Sequence, residues 1–252
     1  MPTTIFTPQM LRNGTRAVPE IPAGGGGGFT NTYSFEFDGV DNRIDTDSID
    51  LGLENTISFW AKRNGTNFNG VVWGGIVQSN YYTVFLNNGN QIQYRVGGFP
   101  VATFSDTNIT TTIGADSWFH CALVRNNSGA DVLCYMNGVL RQTITGIASS
   151  TNNTILKNIG SRGPTPLDFE LTGNLDELSL YNTGLSASQI SDIYNSGAPN
   201  DLTSFSPLHW YRMGDSATWD GSNWSLADQG SGGINGTSVN MTESDRVEDV
   251  PS

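Results

Sequence analysis

The side chains best suited to binding a ligand lie in or near residues 81–96, which read YYTVFLNNGNQIQYRV. Carbohydrate sites combine an aromatic ring with amide and guanidinium groups, because the ring covers an apolar sugar face and the polar groups bind hydroxyls. The candidate ligand-binding residues are Trp73, Tyr82, Gln91, Gln93 and Arg95. The alternative is that this surface packs beneath a loop or against a subunit, which Val84 and Leu86 favour.

The same segment predicts the β-hairpin that would position these residues. Asn88-Gly89 supplies two residues that tolerate positive φ, as a two-residue type I′ turn requires. That turn would place Phe85 opposite Ile92 on the core face of the hairpin. The other face would then carry Tyr82, Val84, Leu86, Gln91, Gln93 and Arg95.

Acidic side chains form a second group of candidate functional residues. Asp38, Asp41 and Asp45 are spaced within FDGVDNRID, residues 37–45. Carboxylate oxygens are the ligands that Ca²⁺ prefers, and Asp176 lies in a later predicted strand. The alternative is that each carboxylate accepts hydrogen bonds from its own turn. If calcium is bound, the sequence favours Asp38 and Asp176 as its ligands.

A catalytic pair of carboxylates is not expected. Asp176 and Glu177 follow Glu170 by six and seven residues, with Gly173-Asn174 between them. Retaining glycoside hydrolysis requires two carboxyl groups about 5 Å apart, and this spacing does not predict such a pair. We therefore predict that the protein is not an enzyme.

Composition and charge exclude several partners. The 252 residues include 24 acidic and 12 basic side chains, with a net charge of −12 and no Lys/Arg run, so nucleic acid is not an expected partner. Apolar runs are shorter than the roughly 18 residues of a membrane helix, so no membrane partner is expected. Only 14% of residues are charged, whereas turn-forming residues are abundant. This composition predicts an all-β domain.

The sequence predicts three parts. Residues 1–30 contain four prolines, five consecutive glycines and a net charge of +1, and they lack the basic and apolar regions of a secretory signal. We expect an N-terminal arm with a glycine hinge, which is either a disordered leader or a tether ordered by a partner. Residues 31–200 form the main domain. Residues 201–252 are expected to add strands to this sandwich or to a neighbouring subunit.

One short helix is expected near the end of the main domain. Ser186 and Gln189 have the spacing of a capping box, and Gly197 can adopt the left-handed conformation that ends a helix. The helix is weakly apolar, so it should lie on the flank of the sandwich.

Four segments together resemble a laminin-G-like domain of the concanavalin A-like lectin/glucanase superfamily. They are residues 33–45, 56–65, 118–140 and 173–197. The resemblance implies a jelly-roll sandwich of two antiparallel sheets with the short flanking helix. It also implies a calcium ion, because members of the superfamily often carry one near such acidic positions. The E-x-D-x-x-E pattern of the superfamily's glucanases is absent from this sequence.

An acidic lectin-like domain with an arm and a C-terminal extension is similar to structural proteins of tailed bacteriophages, in which such domains decorate capsids or tails. The similarity implies a non-enzymatic virion protein that is made in the host cytoplasm. Its arm would bind other virion proteins, its subunits would form a homo-oligomer, and its sandwich would bind a cell-surface glycan. The alternative is a bacterial carbohydrate-binding or adhesin module whose arm is a linker remnant.

Overall fold

The structure, a computed structural model, describes residues 29–64, 70–77, 80–97, 99–147, 152–163 and 169–252, without the side chains of 76, 77, 80–82 and 99–101. The predicted arm, except for its last two residues, lies outside the described residues. Asn31–Ser252 form one compact unit. Among the helices of the described ranges, none has the length and hydrophobicity to span a bilayer.

The described residues form seventeen strands and two α-helices. The strands are β1 (Ser34–Asp38), β2 (Arg43–Asp50), β3 (Asn55–Arg63), β4 (Gly70–Val77), β5 (Asn80–Leu86), β6 (Ile92–Val96), β7 (Phe99–Phe104), β8 (Phe119–Asn126), β9 (Asp131–Met136), β10 (Val139–Ile144), β11 (Ile155–Ile159), β12 (Thr172–Tyr181), β13 (His209–Tyr211), β14 (Ala217–Trp219), β15 (Trp224–Leu226), β16 (Gly236–Val239) and β17 (Arg246–Val247). The helices are α1 (Thr107–Gly114) and α2 (Ala187–Tyr194). Short 3₁₀ turns cover Asn195–Gly197, Thr203–Phe205, Met213–Ser216 and Glu243–Asp245.

Two antiparallel sheets pack on a shared core. Sheet A has the order β10-β9-β8-β3-β12-β1-β17, and β13 also pairs with β12. Sheet B has the order β14-β15-β16-β2-β11-β4-β5-β6-β7. The core contains Ile57 and Phe59 from sheet A and Val84 and Tyr94 from sheet B. Within a strand, core residues recur at every second position, as Ile57 and Phe59 do, because successive side chains point to opposite faces. The predicted all-β jelly-roll sandwich is confirmed.

Helix α2 covers the outer face of sheet A, the face turned away from the core. Its Tyr194 ring stacks on Trp60 with ring centroids 5.7 Å apart. The Ser186–Gln189 capping box is present, and the flanking helix is confirmed. Its end differs from the prediction, because the left-handed conformation begins at Asn195, with φ 48°, two residues before Gly197. Asparagine tolerates this conformation better than most residues.

Helix α1 was not expected from the sequence. Its residues TNITTTIG are mostly β-branched and have low helix propensity. The Asp106 side chain caps it by accepting a hydrogen bond from the Asn108 amide at 3.0 Å. Ile109 and Ile113 lie fully buried on one face of the helix. Burial of these two side chains stabilises a helix that local propensity does not favour.

The C-terminal segment adds strands to both sheets of the same chain. In sheet A, β13 pairs with β12. In sheet B, β16 pairs with β2, β15 pairs with β16, and β14 pairs with β15. At the end of the chain, β17 pairs with β1, and the hydroxyl of Ser34 donates to the carbonyl of Asp249 at 2.6 Å. The Asp249 carboxylate accepts hydrogen bonds from Lys62 and Trp118 at 2.7 and 2.8 Å. The first and last strands of the compact unit, β1 and β17, are therefore held side by side in sheet A.

The predicted register of the β5–β6 hairpin is wrong by one residue. Leu86 pairs with Ile92, and Phe85 pairs with Gln93. The turn has three residues, because Asn87 N–H donates to the Gln91 carbonyl at 3.0 Å and Asn90, not Gly89, takes a positive φ of 56°. A one-residue shift moves every side chain to the other face of the sheet. Val84 and Leu86, which the prediction placed outside, are in the core.

Candidate functional site

The corrected register creates a mixed aromatic and polar surface on the outer face of sheet B. Thr83 and Phe85 of β5 pair with Arg95 and Gln93 of β6, respectively. Phe85 and Thr83 are buried, while Gln93 and Arg95 are partly exposed. Arg95 Nη2 donates to the Gln93 Oε1 atom at 2.7 Å, so the two polar side chains are held together.

Two phenyl rings and two guanidinium groups form the centre of this surface. The ring of Phe169 meets the ring of Phe85 edge-on, with centroids 5.1 Å apart. The Arg95 guanidinium lies 5.6 Å from the centre of Phe85, and the Arg162 guanidinium lies 4.9 Å from the centre of Phe169. Such cation–π contacts hold each cation near a ring face. We call Phe85, Gln93, Arg95, Arg162 and Phe169 the aromatic-arginine face.

A glycine allows the chain to bring Arg162 to this surface. Gly74 of β4 pairs with Thr83, beside the aromatic-arginine face. A Cβ atom added at Gly74 would lie 3.0 Å from the Cα atom of Arg162 and 3.2 Å from the carbonyl oxygen of Ser161. Only a residue without a side chain permits this close approach of two backbones.

The aromatic-arginine face contains polar atoms that the described residues do not satisfy. Arg95 Nε and Thr83 Oγ1 are buried and have no hydrogen-bond partner within the described part of the chain. Burial, followed by the positive charge of Arg162, lowers the pKa of Arg95. Buried polar atoms are normally paired, so the described residues leave these two atoms without the partner that such atoms usually have. Phe169, which is 37% exposed, offers an aromatic surface beside them.

Two of the five predicted ligand-binding residues, Gln93 and Arg95, lie together on this face. Trp73 does not, because it is 0% exposed and packs in the core with its ring 5.5 Å from that of Tyr211. A bulge between Val71 and Trp73 in β4 breaks the alternation of side chains at this point. Trp73 is therefore a core residue.

Of the remaining two predicted residues, only Gln91 has a described side chain, and it lies away from this surface. Gln91 lies in the hairpin loop, where its Oε1 atom accepts a hydrogen bond from the Asn87 amide at 2.8 Å. The backbone of Tyr82 pairs with Gly75, and its side chain lies outside the described set. Arg162 and Phe169 were not among the predicted residues. They follow β11 and reach the hairpin only through tertiary structure.

The two predicted metal ligands lie apart. Asp38 pairs with Thr172 of β12. Asp176 lies four residues further along the same strand, and four residues of extended chain span about 13 Å. The Asp38 Oδ1 atom accepts hydrogen bonds from the backbone amides of Val40, Asp41 and Asn42, with the first at 2.8 Å. Among the residues that the structure describes, no three His, Cys, Asp or Glu side chains are grouped as metal ligands.

Asp176 and Glu177 instead form a buried acidic pair at a bulge of β12. Glu177 has a φ of 46° and accepts hydrogen bonds from Trp210 at 2.6 Å and Arg212 at 3.1 Å. Burial raises the pKa of Glu177 to about 7, although the positive charge of Arg212 acts to lower it. Burial and the charge of Glu177 raise the pKa of Asp176, whose carboxylate accepts a hydrogen bond from Asn31 at 2.7 Å. These hydrogen bonds attach Asn31 and β13 to β12.

A second surface site is an open cleft of about 490 Å³ at one end of the sandwich. Its lining residues are Asp50, Leu51, Gly52, Leu53, Glu54, Asn153 and Asn182. Asp50 accepts hydrogen bonds from Gly52 and Asn153, and Glu54 accepts one from the Ser128 amide. None of the described residues that line the cleft is aromatic, whereas the aromatic-arginine face exposes a phenyl ring. The aromatic-arginine face is therefore the stronger candidate for a sugar site.

Several solved structures are similar to this chain at low sequence identity. A Bacteroides ovatus protein considered to bind carbohydrate is 16% identical, with a TM-score of 0.59 over 88% of this chain and 62% of that one. This chain therefore spans less than two thirds of that protein. A pentraxin from Limulus polyphemus is 12% identical, with a TM-score of 0.47 over 65% of this chain and 82% of that one.

A sialidase CBM40 domain from Ruminococcus gnavus is 13% identical, with a TM-score of 0.46 over 64% of this chain and 96% of that one. Comparison with curated protein sequences gave no match. A laminin G family model, described as the Concanavalin A-like lectin/glucanases superfamily, matches residues 38–191, which is more than half of the chain. The chain therefore belongs to the Concanavalin A-like lectin/glucanases superfamily.

Proposed function

We propose that the protein is a non-enzymatic glycan-binding module and that the aromatic-arginine face is its binding site. The observation that carries the proposal is the partly exposed Phe169 ring beside the linked side chains of Gln93 and Arg95. Membership of a lectin superfamily supports the same class of ligand. The fold alone does not identify a ligand, so the proposal depends on this surface.

The groups have separate parts in the proposed binding. Phe169 would pack against the C–H groups of a pyranose ring, which form the apolar face of a sugar. Gln93 and Arg95 would bind its hydroxyl groups, since an amide both donates and accepts while a guanidinium donates through several N–H groups. Burial of Phe85 beneath Phe169 fixes the position of the exposed ring, which reduces the entropy lost on binding.

A glycan array followed by titration calorimetry on the best glycan tests this proposal. We expect Phe169→Ala to weaken binding at least tenfold, because aromatic anchors contribute much of the affinity of a small site. Leu140→Ala is the matched control, since Leu140 is an exposed apolar residue on the edge strand of sheet A. Equal binding by the Phe169 variant and the wild type would contradict the site. If Asn182→Ala loses binding and Phe169→Ala does not, the binding site is the cleft and not the aromatic-arginine face.

We further propose that the module is a virion protein of the tailed-bacteriophage type, anchored by its N-terminal arm. The compact unit begins at Asn31, so a separate attachment segment would precede it. Several copies in a homo-oligomer would raise the avidity of weak glycan sites. Deletion of residues 1–28 should abolish incorporation into particles while the circular dichroism spectrum is retained. Unchanged assembly with retained glycan binding would support the bacterial adhesin alternative.

Calcium binding stays a prediction with its own measurement. A bound ion would stabilise the native state, because a ligand that binds only the folded chain raises its melting temperature. Melting curves with excess CaCl₂ and with EDTA should differ if Asp38 or Asp176 contributes a site. Identical curves would remove the prediction.

A further inference from the structure

The aromatic-arginine face brings two cationic side chains onto one surface of an acidic protein. The protein has a net charge of −12, yet Arg95 and Arg162 lie over two phenyl rings whose centroids are only 5.1 Å apart. Like charges at short range repel, and burial in a medium of low dielectric increases the repulsion. An anion bound near both guanidinium groups would balance their charge.

For Arg95, the described residues do not supply that balance. Its hydrogen bond goes to the neutral amide of Gln93, and its Nε atom has no partner within the described chain. No described carboxylate affects its pKa, which burial and the Arg162 charge both lower. By contrast, Arg43 pairs with Asp45 at 2.9 Å and Arg212 pairs with Glu177 at 3.1 Å.

We propose that the glycan bound by this face is anionic and that Arg95 and Arg162 together hold its acidic group. This inference rests on the proposed glycan-binding function and specifies its ligand class. A guanidinium binds a carboxylate or sulfate through two parallel N–H groups, which is a stronger and more directional contact than a bond to a hydroxyl. The anion would also remove the repulsion between the two arginines. Phe169 would contact the adjoining sugar ring.

Matched oligosaccharides test the charge of the ligand. Four versions of one oligosaccharide should be compared: one ending in a neutral hexose, one in the corresponding uronic acid, one in its methyl ester and one in the 6-sulfated hexose. We expect the uronic acid or the sulfate to bind at least tenfold more tightly than the neutral sugar and the ester. The tighter of the two identifies the acidic group, and the preference should decrease as salt is raised.

Arginine variants test the assigned residues. Arg95→Gln and Arg162→Gln should each reduce binding of the acidic oligosaccharide at least tenfold. Each should also reduce the preference for the acidic over the neutral oligosaccharide, whereas loss of a hydroxyl contact alone would leave that preference unchanged. Arg141→Gln on sheet A is the matched control, because it removes the same charge from the other sheet. Melting curves establish that each variant is folded.

The possible failures are distinguishable. If the neutral, esterified and acidic oligosaccharides bind equally, the inference is wrong while the glycan-binding function stands. If no oligosaccharide binds in the full array, the proposed function itself fails. If Arg141→Gln reduces binding as much as Arg95→Gln, the preference reflects net charge and the assigned site is wrong. Self-association that Phe169→Ala abolishes would show that a second copy of this chain covers the face.

Discussion

The buried imidazole of His120 predicts a measurable loss of stability in acid. His120 lies in β8 beneath α2, is 0% exposed, and has its Nε2 atom 2.8 Å from the hydroxyl of Ser58. Burial lowers the pKa of His120 to about 3, from an ordinary value of 6.5. Below pH 6.5 the unfolded chain therefore gains a proton that the folded chain does not. At pH 4.5 this difference lowers the free energy of unfolding by about 3 kcal/mol.

Glu177 changes stability in the opposite direction over the same pH range. Its pKa rises from an ordinary 4.5 in the unfolded chain to about 7 in the folded one. As pH rises from 4.5 to 7, the unfolded chain loses a proton first, and the folded state loses about 3 kcal/mol of stability. The two effects offset each other in the wild type, so a single variant is needed to separate them.

His120→Gln removes the titration and keeps a group that can bond with Ser58. Between pH 7.5 and 4.5, we expect its stability relative to the wild type to improve by about 3 kcal/mol, whatever the substitution costs at pH 7.5. The measurement is urea unfolding followed by tryptophan fluorescence at several pH values. Ser58→Ala is the control, since it removes the hydrogen bond and leaves the imidazole, and its cost should not depend on pH. A difference between His120→Gln and wild type that stays constant to about 0.5 kcal/mol would refute the reasoning.

Three further predictions concern Glu177, Ser186 and Gly160. Urea unfolding of Glu177→Gln should show the opposite trend to His120→Gln, gaining about 3 kcal/mol relative to the wild type as pH rises from 4.5 to 7.5; a flat difference would contradict it. Ser186→Ala should lower the unfolding free energy by about 1 kcal/mol, because the Ser186 hydroxyl accepts a hydrogen bond from the Gln189 amide; an unchanged urea midpoint would show that the cap is dispensable. Gly160→Ala should cost about 2–4 kcal/mol in the same assay, since Gly160 has φ 81° and the new Cβ would lie 2.4 Å from the Phe37 ring. Gly146→Ala is its control, with φ 68° and no atom of the described residues within 4 Å of the new Cβ, and should cost only about 1 kcal/mol.

The fold class can be predicted from the sequence because its two signals are local. One is the alternation of apolar residues along a strand, and the other is the presence of turn-forming residues between strands. Ile57 and Phe59 alternate with polar or aromatic neighbours, and the capping box at Ser186 lies within one helical turn. The hairpin register could not be predicted in the same way. Asn88-Gly89 is compatible with a two-residue turn, but the structure places Asn90 at positive φ and moves Val84 and Leu86 into the core. Core packing therefore decides between two turns that the local sequence permits.

Only part of the candidate site could be predicted from the sequence. Gln93 and Arg95 were identified because they share one strand face, which a period of two predicts. Trp73 was wrongly grouped with them because the bulge in β4 leaves no clear signal in the sequence. Arg162 and Phe169 are more than sixty residues from Gln93, and only the close backbone approach at Gly74 shows why the chain brings Arg162 to that sheet.

The pairing of β1 with β17 determines how the module can be joined to other proteins. Both ends of the compact unit leave from sheet A, whereas the aromatic-arginine face is on the outside of sheet B. A carrier attached at either end would therefore be joined at the sheet opposite the aromatic-arginine face. The adjacent ends also permit circular permutation, since a short peptide could link them and new ends could be opened in an exposed loop.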